Sequence, residues 1–255
     1  MDGISISFLT FLIVCPLTFL GGFVDAVAGG GGLISLPAYM IAGLPPHYAI
    51  ATNKLSSGMG TTVSTYRFAR SGNIPWKKAL PCVLMAVLGS GTGARLALLV
   101  DSDLFRKLML VIIPLTAFYV MRTRSMDDDK EPLPDRQSLL RAMLAALLIG
   151  VYDGFYGPGT GTFLILLLSG FARFRLGEAN GTAKSINLTT NLTSLVVYLL
   201  NGKTLILLGL AGGVFGIIGN YIGVSFFEEN GARAVKPLMI AVLVIFYIRV
   251  LTEIL

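Results

Sequence analysis

Gly22-Phe23-Val24-Asp25-Ala26-Val27-Ala28-Gly29-Gly30-Gly31-Gly32-Leu33 decides how this chain is read. An apolar run carries a single acidic residue and then meets four consecutive glycines. Glycine is the poorest ordinary helix former, so a helix built on this run must break there. A closely similar stretch lies 128 residues further on, measured from Asp25 to Asp153: Gly150-Val151-Tyr152-Asp153-Gly154-Phe155-Tyr156-Gly157-Pro158-Gly159-Thr160-Gly161. At a spacing of 130 residues the correspondence continues, with Thr52-Asn53-Lys54 against Thr182-Ala183-Lys184 and Ser71-Gly72 against Asn201-Gly202. Gly89 and Gly93 match Gly219 and Gly223, and Leu108-Met109 matches Leu238-Met239, in the same register. Chance matches do not hold one register over so long a stretch. The chain is two copies of one unit.

The solvent of that unit follows from composition. The 255 residues are 54% hydrophobic and 13% charged, with a mean hydropathy of +0.76. A soluble domain carries roughly a quarter charged residues. So little polar surface cannot cover a water-exposed globule, and lipid is the expected outer solvent. The net charge of +6 does not point to nucleic acid, because the Lys and Arg residues stand at the ends of apolar runs, as in a multi-span protein that marks its cytoplasmic loops. Cys15 and Cys82 both lie within apolar segments and a single His is present, so neither a disulfide, a Cys/His metal site nor any cofactor is expected. Ala26-Val27-Ala28 mimics a signal-peptidase site, but Asp2 replaces the usual basic n-region and the pattern recurs mid-chain, so cleavage is not expected.

The predicted architecture is an all-α polytopic membrane protein of two five-segment repeats, residues 1–121 and 139–255, joined by a polar linker at 122–138. The apolar segments of the first repeat run at about 4–28, 32–44, 47–69, 77–100 and 104–121. Those of the second run at about 139–156, 160–172, 176–200, 204–227 and 232–254. At about 1.5 Å per residue the longer ones reach across a hydrocarbon core of about 30 Å. The second segment of each copy is too short to do so unaided. An odd number of crossings per copy would invert the second copy, and loop charges agree. Arg67, Arg70, Lys77 and Lys78 follow the third segment of copy one, where copy two has only Lys203; after the second segment the bias reverses, His47 alone against Arg173 and Arg175. Matching loops therefore lie on opposite sides, with the linker cytoplasmic and both termini outside. The acidic run Asp127-Asp128-Asp129 in the linker reads as a solvated connection, not a metal site.

The candidate site follows from the repeated polar features. Irregular backbone within a bilayer is tolerated only where protein buries it or where it lines a cavity. Breaks at Gly29, Gly30, Gly31 and Gly32 and at Gly157, Gly159, Thr160 and Gly161 would expose new helix N-termini. Their amides and dipole favour an anion. Paired interruptions at equivalent places are the best sequence pointer to a transporter's central site. Close packing through small residues explains scattered glycines but not consecutive ones. Lys54 and Lys184 share a repeat position inside apolar segments, where a cation is a functional candidate by default, snorkelling being the plainer alternative. Asn53, Asn187 and Asn191 offer neutral hydrogen-bonding groups on the same segments. Asp25 and Asp153, each four residues before its glycine cluster, could be counterions to the lysines, protonatable coupling groups, or ligands for Na+. Arg95 has no basic match at Ser225 and is a weaker candidate. Gly157-Pro158-Gly159-Thr160-Gly161-Thr162 resembles part of a phosphate-binding loop, but the Lys that must follow the last Gly is missing and Phe163 follows Thr162, so nucleotide binding is rejected. The sequons at Asn180, Asn187 and Asn191 fall in or beside an apolar span and read as coincidence.

As an ordered set these motifs resemble the sulfite exporter TauE/SafE family, also called the 4-toluene sulfonate uptake permeases, nearest its YfcA-type branch. Phe23 to Leu33, Gly43-Leu44-Pro45-Pro46 and Ala51-Thr52-Asn53-Lys54-Leu55 look like the family's first half. Tyr152 to Gly161 and Ala183-Lys184-Ser185-Ile186-Asn187 look like its second. The resemblance implies a non-enzymatic secondary transporter of a small anion, such as sulfite or an organosulfonate, in a bacterial inner membrane. A channel, or a transporter of another small carboxylate or inorganic anion, is the alternative. Expected partners are the anionic substrate and the lipid bilayer, and could include a coupling proton or Na+ and further copies of the chain as a homo-oligomer.

Overall fold

The computed structural model describes residues 6–101, 104 and 133–230. The expected fifth segment of each copy, apart from Leu104, and most of the linker lie outside the described residues. Within them the structure consists of eight helices and no strand: α1 (Phe8–Ala28), α2 (Gly32–Ile41), α3 (Pro46–Arg70), α4 (Trp76–Leu99), α5 (Asp135–Phe155), α6 (Thr160–Gly170), α7 (Leu176–Leu200) and α8 (Ile206–Asn230). Prolines 45, 75 and 134 directly precede α3, α4 and α5. A residue without an N–H costs nothing there, since the first amides of a helix have no internal partner.

Helices α1, α4, α5 and α8 are long and apolar enough to cross a membrane. Helices α2 and α6, at 10 and 11 residues, are not. Burial runs opposite to that of a soluble protein. Leu84, Leu88, Leu148, Leu200 and Leu207 are exposed, while Lys54, Asp153, Lys184 and Asn191 are buried. That distribution fits a chain whose outer surface meets lipid.

The long apolar helices pair between copies: α1 lies against α8, and α4 against α5. Small residues make both contacts close. A Cβ at Gly219 would come within 2.0 Å of the Phe19 carbonyl oxygen, and one at Gly93 within 2.0 Å of that of Val151. Because Gly93 and Gly223 are repeat equivalents, as are Gly89 and Gly219, the same packing device serves both pairs. Along α1 and α8, Thr18 meets Gly212 and Phe23 meets Gly223, so these helices run parallel. Helix α3 also runs parallel to α8, with Leu55 at Gly209, Met59 at Gly213 and Arg67 bonded to Ser225. The equivalent helices α3 and α7 instead cross with opposed direction. Thr65 bonds the Lys184 carbonyl, Asn191 bonds Thr61, and Gly58 faces Leu192.

Between α1 and α3 the chain must therefore be carried back, and α2 does this. Gly31 abuts Gly21 and Asp25, and Ser35 abuts Gly21, so α2 folds back along α1 as a hairpin. Helix α6 sits in the same way between α5 and α7.

Candidate functional site

The site is built where the two hairpin tips touch. Helix α1 ends at Ala28 because Gly29 takes a left-handed conformation, φ +74°, and returns its amide to the Asp25 carbonyl at 2.9 Å. An L-residue is disfavoured there, and space forbids one as well. A Cβ on Gly29 would lie 2.2 Å from the carbonyl carbon of Gly161 in the opposite tip. Two hydrogen bonds close the contact: the Thr162 amide donates to the Gly29 oxygen at 3.1 Å and its hydroxyl to the Ala28 oxygen at 2.8 Å. Irregular backbone is thus paired with irregular backbone, which keeps polar groups satisfied in the interior of an apolar slab.

Each tip brings an aspartate against a lysine of the other copy. Lys54 Nζ on α3 lies 2.6 Å from Asp153 Oδ2 on α5. Lys184 Nζ on α7 lies 3.1 Å from Asp25 Oδ2 on α1 and also donates to the Asp25 carbonyl. The second carboxylate oxygens are occupied too. Thr160 donates to Asp153 Oδ1 at 2.6 Å, and Asn187 approaches Asp25 Oδ1 at 3.4 Å. Gly157 leaves room for this, since at φ +102° its Cβ would stand 2.9 Å from the Lys54 ammonium. Both lysines are essentially sealed, at 2% and 0% exposure, so neither snorkels. Four charges cancel pairwise. Both helix starts, at Gly31–Gly32 and Gly159–Gly161, line the space between the tips, and the N-terminal ends of their dipoles carry partial positive charge. The amides of Gly31 and Gly32 precede the first bond of α2, made by Leu33 to the Gly30 carbonyl.

Around the tips is a cavity of about 40 Å³. At roughly 10–15 Å³ per water on this scale it holds a few waters or a small inorganic anion. Expected residues that line it are Asp25, Gly29, Gly31, Gly32, Asn53, Asp153, Gly157, Gly159, Thr160, Gly161, Asn187 and Asn191. Gly30, Lys54 and Lys184 were expected at the site as well and do not line the cavity. The lysines stand behind the aspartates, because each ammonium finds its counterion nearer than the open space. Of the three readings of Asp25 and Asp153, both residues have the counterion geometry. Arg95 is not among the lining residues either.

Sequence reading missed Thr18, Ser35, Ser56, Ser57 and Asn220, all at the cavity. For Asn220 the signal was present: a carboxamide in the middle of an apolar segment. The small hydroxyls gave no signal, being common in membrane helices. The repeat also explains an isolated buried oxygen. Thr52 Oγ1 accepts the Leu205 amide at 3.1 Å, but the residue equivalent to Leu205 is Pro75, which has no N–H, and Thr182 Oγ1 has no partner.

Comparison with known proteins agrees with this architecture. The family described as "Sulfite exporter TauE/SafE" matches residues 14–250. A Sinorhizobium protein named "Probable membrane transporter protein ORF9" is 34% identical over 99% of this chain and 96% of its own. The Haemophilus influenzae "Probable membrane transporter protein" is 32% identical over 87% of both chains. The Escherichia coli K12 "Probable membrane transporter protein YfcA" is 30% identical over 92% of this chain and 90% of its own. No solved structure matches the chain significantly. With a family match over nearly the whole length, relatives named as membrane transporters, and apolar helices paired around buried charge, this multi-pass membrane protein belongs to the sulfite exporter TauE/SafE family of transporters.

Proposed function

We propose that the protein is a secondary transporter of a small oxyanion, with sulfite the first candidate, bound between the two hairpin tips. The observation that carries the reading is the meeting of two helix N-termini around a polar cavity whose four charged side chains already cancel. In such a place the helix starts set the sign of the field, that sign favours an anion, and the carboxamides of Asn53, Asn187 and Asn191 are neutral groups that can hydrogen-bond it. A fixed unpaired ammonium would hold the anion more tightly but would also hold it back from release. Lys54 and Lys184 act one step removed, by neutralising the aspartates that share the cavity wall. The cavity volume supports a small inorganic anion over an aryl sulfonate in this conformation.

The two copies are inverted repeats in the bacterial inner membrane, with both termini outside. The opposed directions of α3 and α7 support the inversion, as does the folding back of α2, which makes each hairpin re-entrant. The side chains at loop ends agree. Lys78 at the start of α4 pairs with Asp135 at the start of α5, and Arg67 at the end of α3 with Glu228 at the end of α8, which supports one face for these basic ends. Rocking of one repeat against the other about the Gly29–Gly161 contact would open the cavity alternately to the two sides, with a proton or Na+ as co-substrate.

Uptake of radiolabelled sulfite into proteoliposomes tests this reading. Saturable uptake that is accelerated by unlabelled sulfite inside the vesicles is the expected result. Flux without such counterflow would replace the carrier with a channel. Absence of flux for sulfite, sulfonates, sulfate and small carboxylates alike would remove the anion assignment.

A further inference from the structure

The cavity is not centred on the pseudo-symmetry of the repeats. On one side, between α1, α2, α3 and α8, Thr18, Ser35, Ser56 and Asn220 line it. Their repeat equivalents are Ala146, Phe163, Ile186 and Ser90, none of which lines the cavity. Ser90 is instead engaged with the Thr190 carbonyl and the Ser194 hydroxyl. These four positions are oxygen-lined and open in one copy, while in the other three carry the hydrocarbon side chains of Ala146, Phe163 and Ile186 and the fourth, Ser90, is turned to partners of its own.

The hydrogen-bond pattern of the oxygen-lined side has a definite polarity. The Thr18 hydroxyl donates to the Cys15 carbonyl at 2.9 Å, that of Ser35 to Gly31 at 3.2 Å, and that of Ser56 to Asn53 at 3.1 Å. Each has spent its only proton on the backbone and keeps only acceptor capacity; the Ser56 oxygen uses part of it on the Tyr39 hydroxyl, which donates to it at 2.8 Å, and has one lone pair left. Asn220 is 3% exposed; its amide nitrogen donates to the Gly216 carbonyl at 3.0 Å, which fixes the orientation of the group, and its Oδ1 has no partner. A buried acceptor without a donor is costly, and here it belongs to a residue that lines the same cavity as three hydroxyls of the same polarity.

We propose that this acceptor-lined side of the cavity binds one Na+, held by Asn220 Oδ1 and the hydroxyl oxygens of Thr18, Ser35 and Ser56. Neutral oxygens suit a monovalent hard cation; a Ca2+ or Mg2+ site would call on carboxylates, and Asp25 and Asp153 are already paired to lysines. None of the four groups titrates near neutral pH, so the site is not a proton carrier. Bound next to the helix starts, the cation adds positive potential where the anion sits, so each ligand favours the other and the two move together. The co-transport part of this inference rests on the anion-transport reading; the cation site itself does not.

Binding of 22Na+ to the purified full-length protein, read by scintillation proximity in Tris–chloride buffer with no oxyanion present, tests it separately from transport. We expect saturable binding, displaced at least tenfold more effectively by unlabelled Na+ than by K+. Asn220→Leu should weaken it more than tenfold, and Ser90→Ala should leave it unchanged. Asn220→Asp, which keeps the oxygen, should retain binding and serves as the folded control if the leucine variant proves unstable. No saturable binding to monodisperse wild-type protein, equal displacement by K+, or full binding by Asn220→Leu would each overturn the site. Loss of sulfite flux with 22Na+ binding intact would count against the anion reading and leave the cation site standing.

Discussion

The ammonium of Lys54 and the carboxylate of Asp153 lie 2.6 Å apart, and they come from different copies of the repeat. The companion contact exchanges the copies, with Lys184 on Asp25. The duplicated sequence therefore satisfies its buried charges only when the halves are assembled. Neither copy could hold its own lysine and aspartate in an apolar interior without the other.

Removing one member of such a pair leaves the other charge uncompensated. Lys54→Ala is expected to cost about 3–5 kcal/mol of stability. The double variant Lys54→Ala/Asp153→Ala should be more stable than Lys54→Ala alone, because the orphaned carboxylate is gone. Thermal unfolding in detergent of the two single variants and the double completes the cycle. Additive losses would show that the pair is not energetically coupled.

The tip contact separates conformational from steric cost. Gly29→Ala combines a left-handed backbone, about 1–2 kcal/mol, with a clash of 2.2 Å against Gly161, so folded yield should fall severely. Gly43→Ala also requires positive φ, +91°, yet meets nothing within 4 Å and should cost only the smaller amount. Fluorescence-detected size exclusion of the two variants reads the difference.

Asn187→Ala and Asn191→Ala should raise the KM for the transported anion up to roughly tenfold each, the worth of about one hydrogen bond of 0.5–1.5 kcal/mol. Both side chains face the cavity, and their mutual contact is long, at 3.4 Å, so folding should survive. Initial-rate uptake at varied substrate concentration checks this. An unchanged KM in both would place the anion elsewhere.

Inversion of the repeats predicts opposite sidedness for equivalent loops. Cysteine introduced by Lys78→Cys should react with an impermeant maleimide only in inside-out vesicles, and Lys203→Cys only in right-side-out cells. Native Cys15 and Cys82 are buried and should stay silent. Labelling of both sites from one side would require parallel repeats.

Most of the helix plan could be read from the chain. The apolar segments 47–69 and 176–200 correspond closely to α3 and α7, since Pro45-Pro46 opens the first, Gly72 and Gly202 follow the two ends, and the charged residues they carry are few. The glycine breaks were equally plain. The lysines were found as buried cations, but their direction was not, because an ammonium within reach of both an open cavity and a carboxylate goes to whichever the packed backbone brings nearer. Thr18, Ser35 and Ser56 were missed for a related reason: a hydroxyl that bonds its own helix backbone leaves no periodic trace.

Sequence alone determined that this is a duplicated, lipid-embedded helical chain with paired breaks and paired buried charges, because composition, register and glycine conformational cost are local properties. Only the tertiary structure decided which lysine meets which aspartate, that the tips touch, and that four oxygen-bearing positions line the cavity in one copy while their equivalents do not. Those outcomes depend on how two similar but unequal surfaces pack, and a single substitution such as Asn220 against Ser90 changes the packing without changing the pattern.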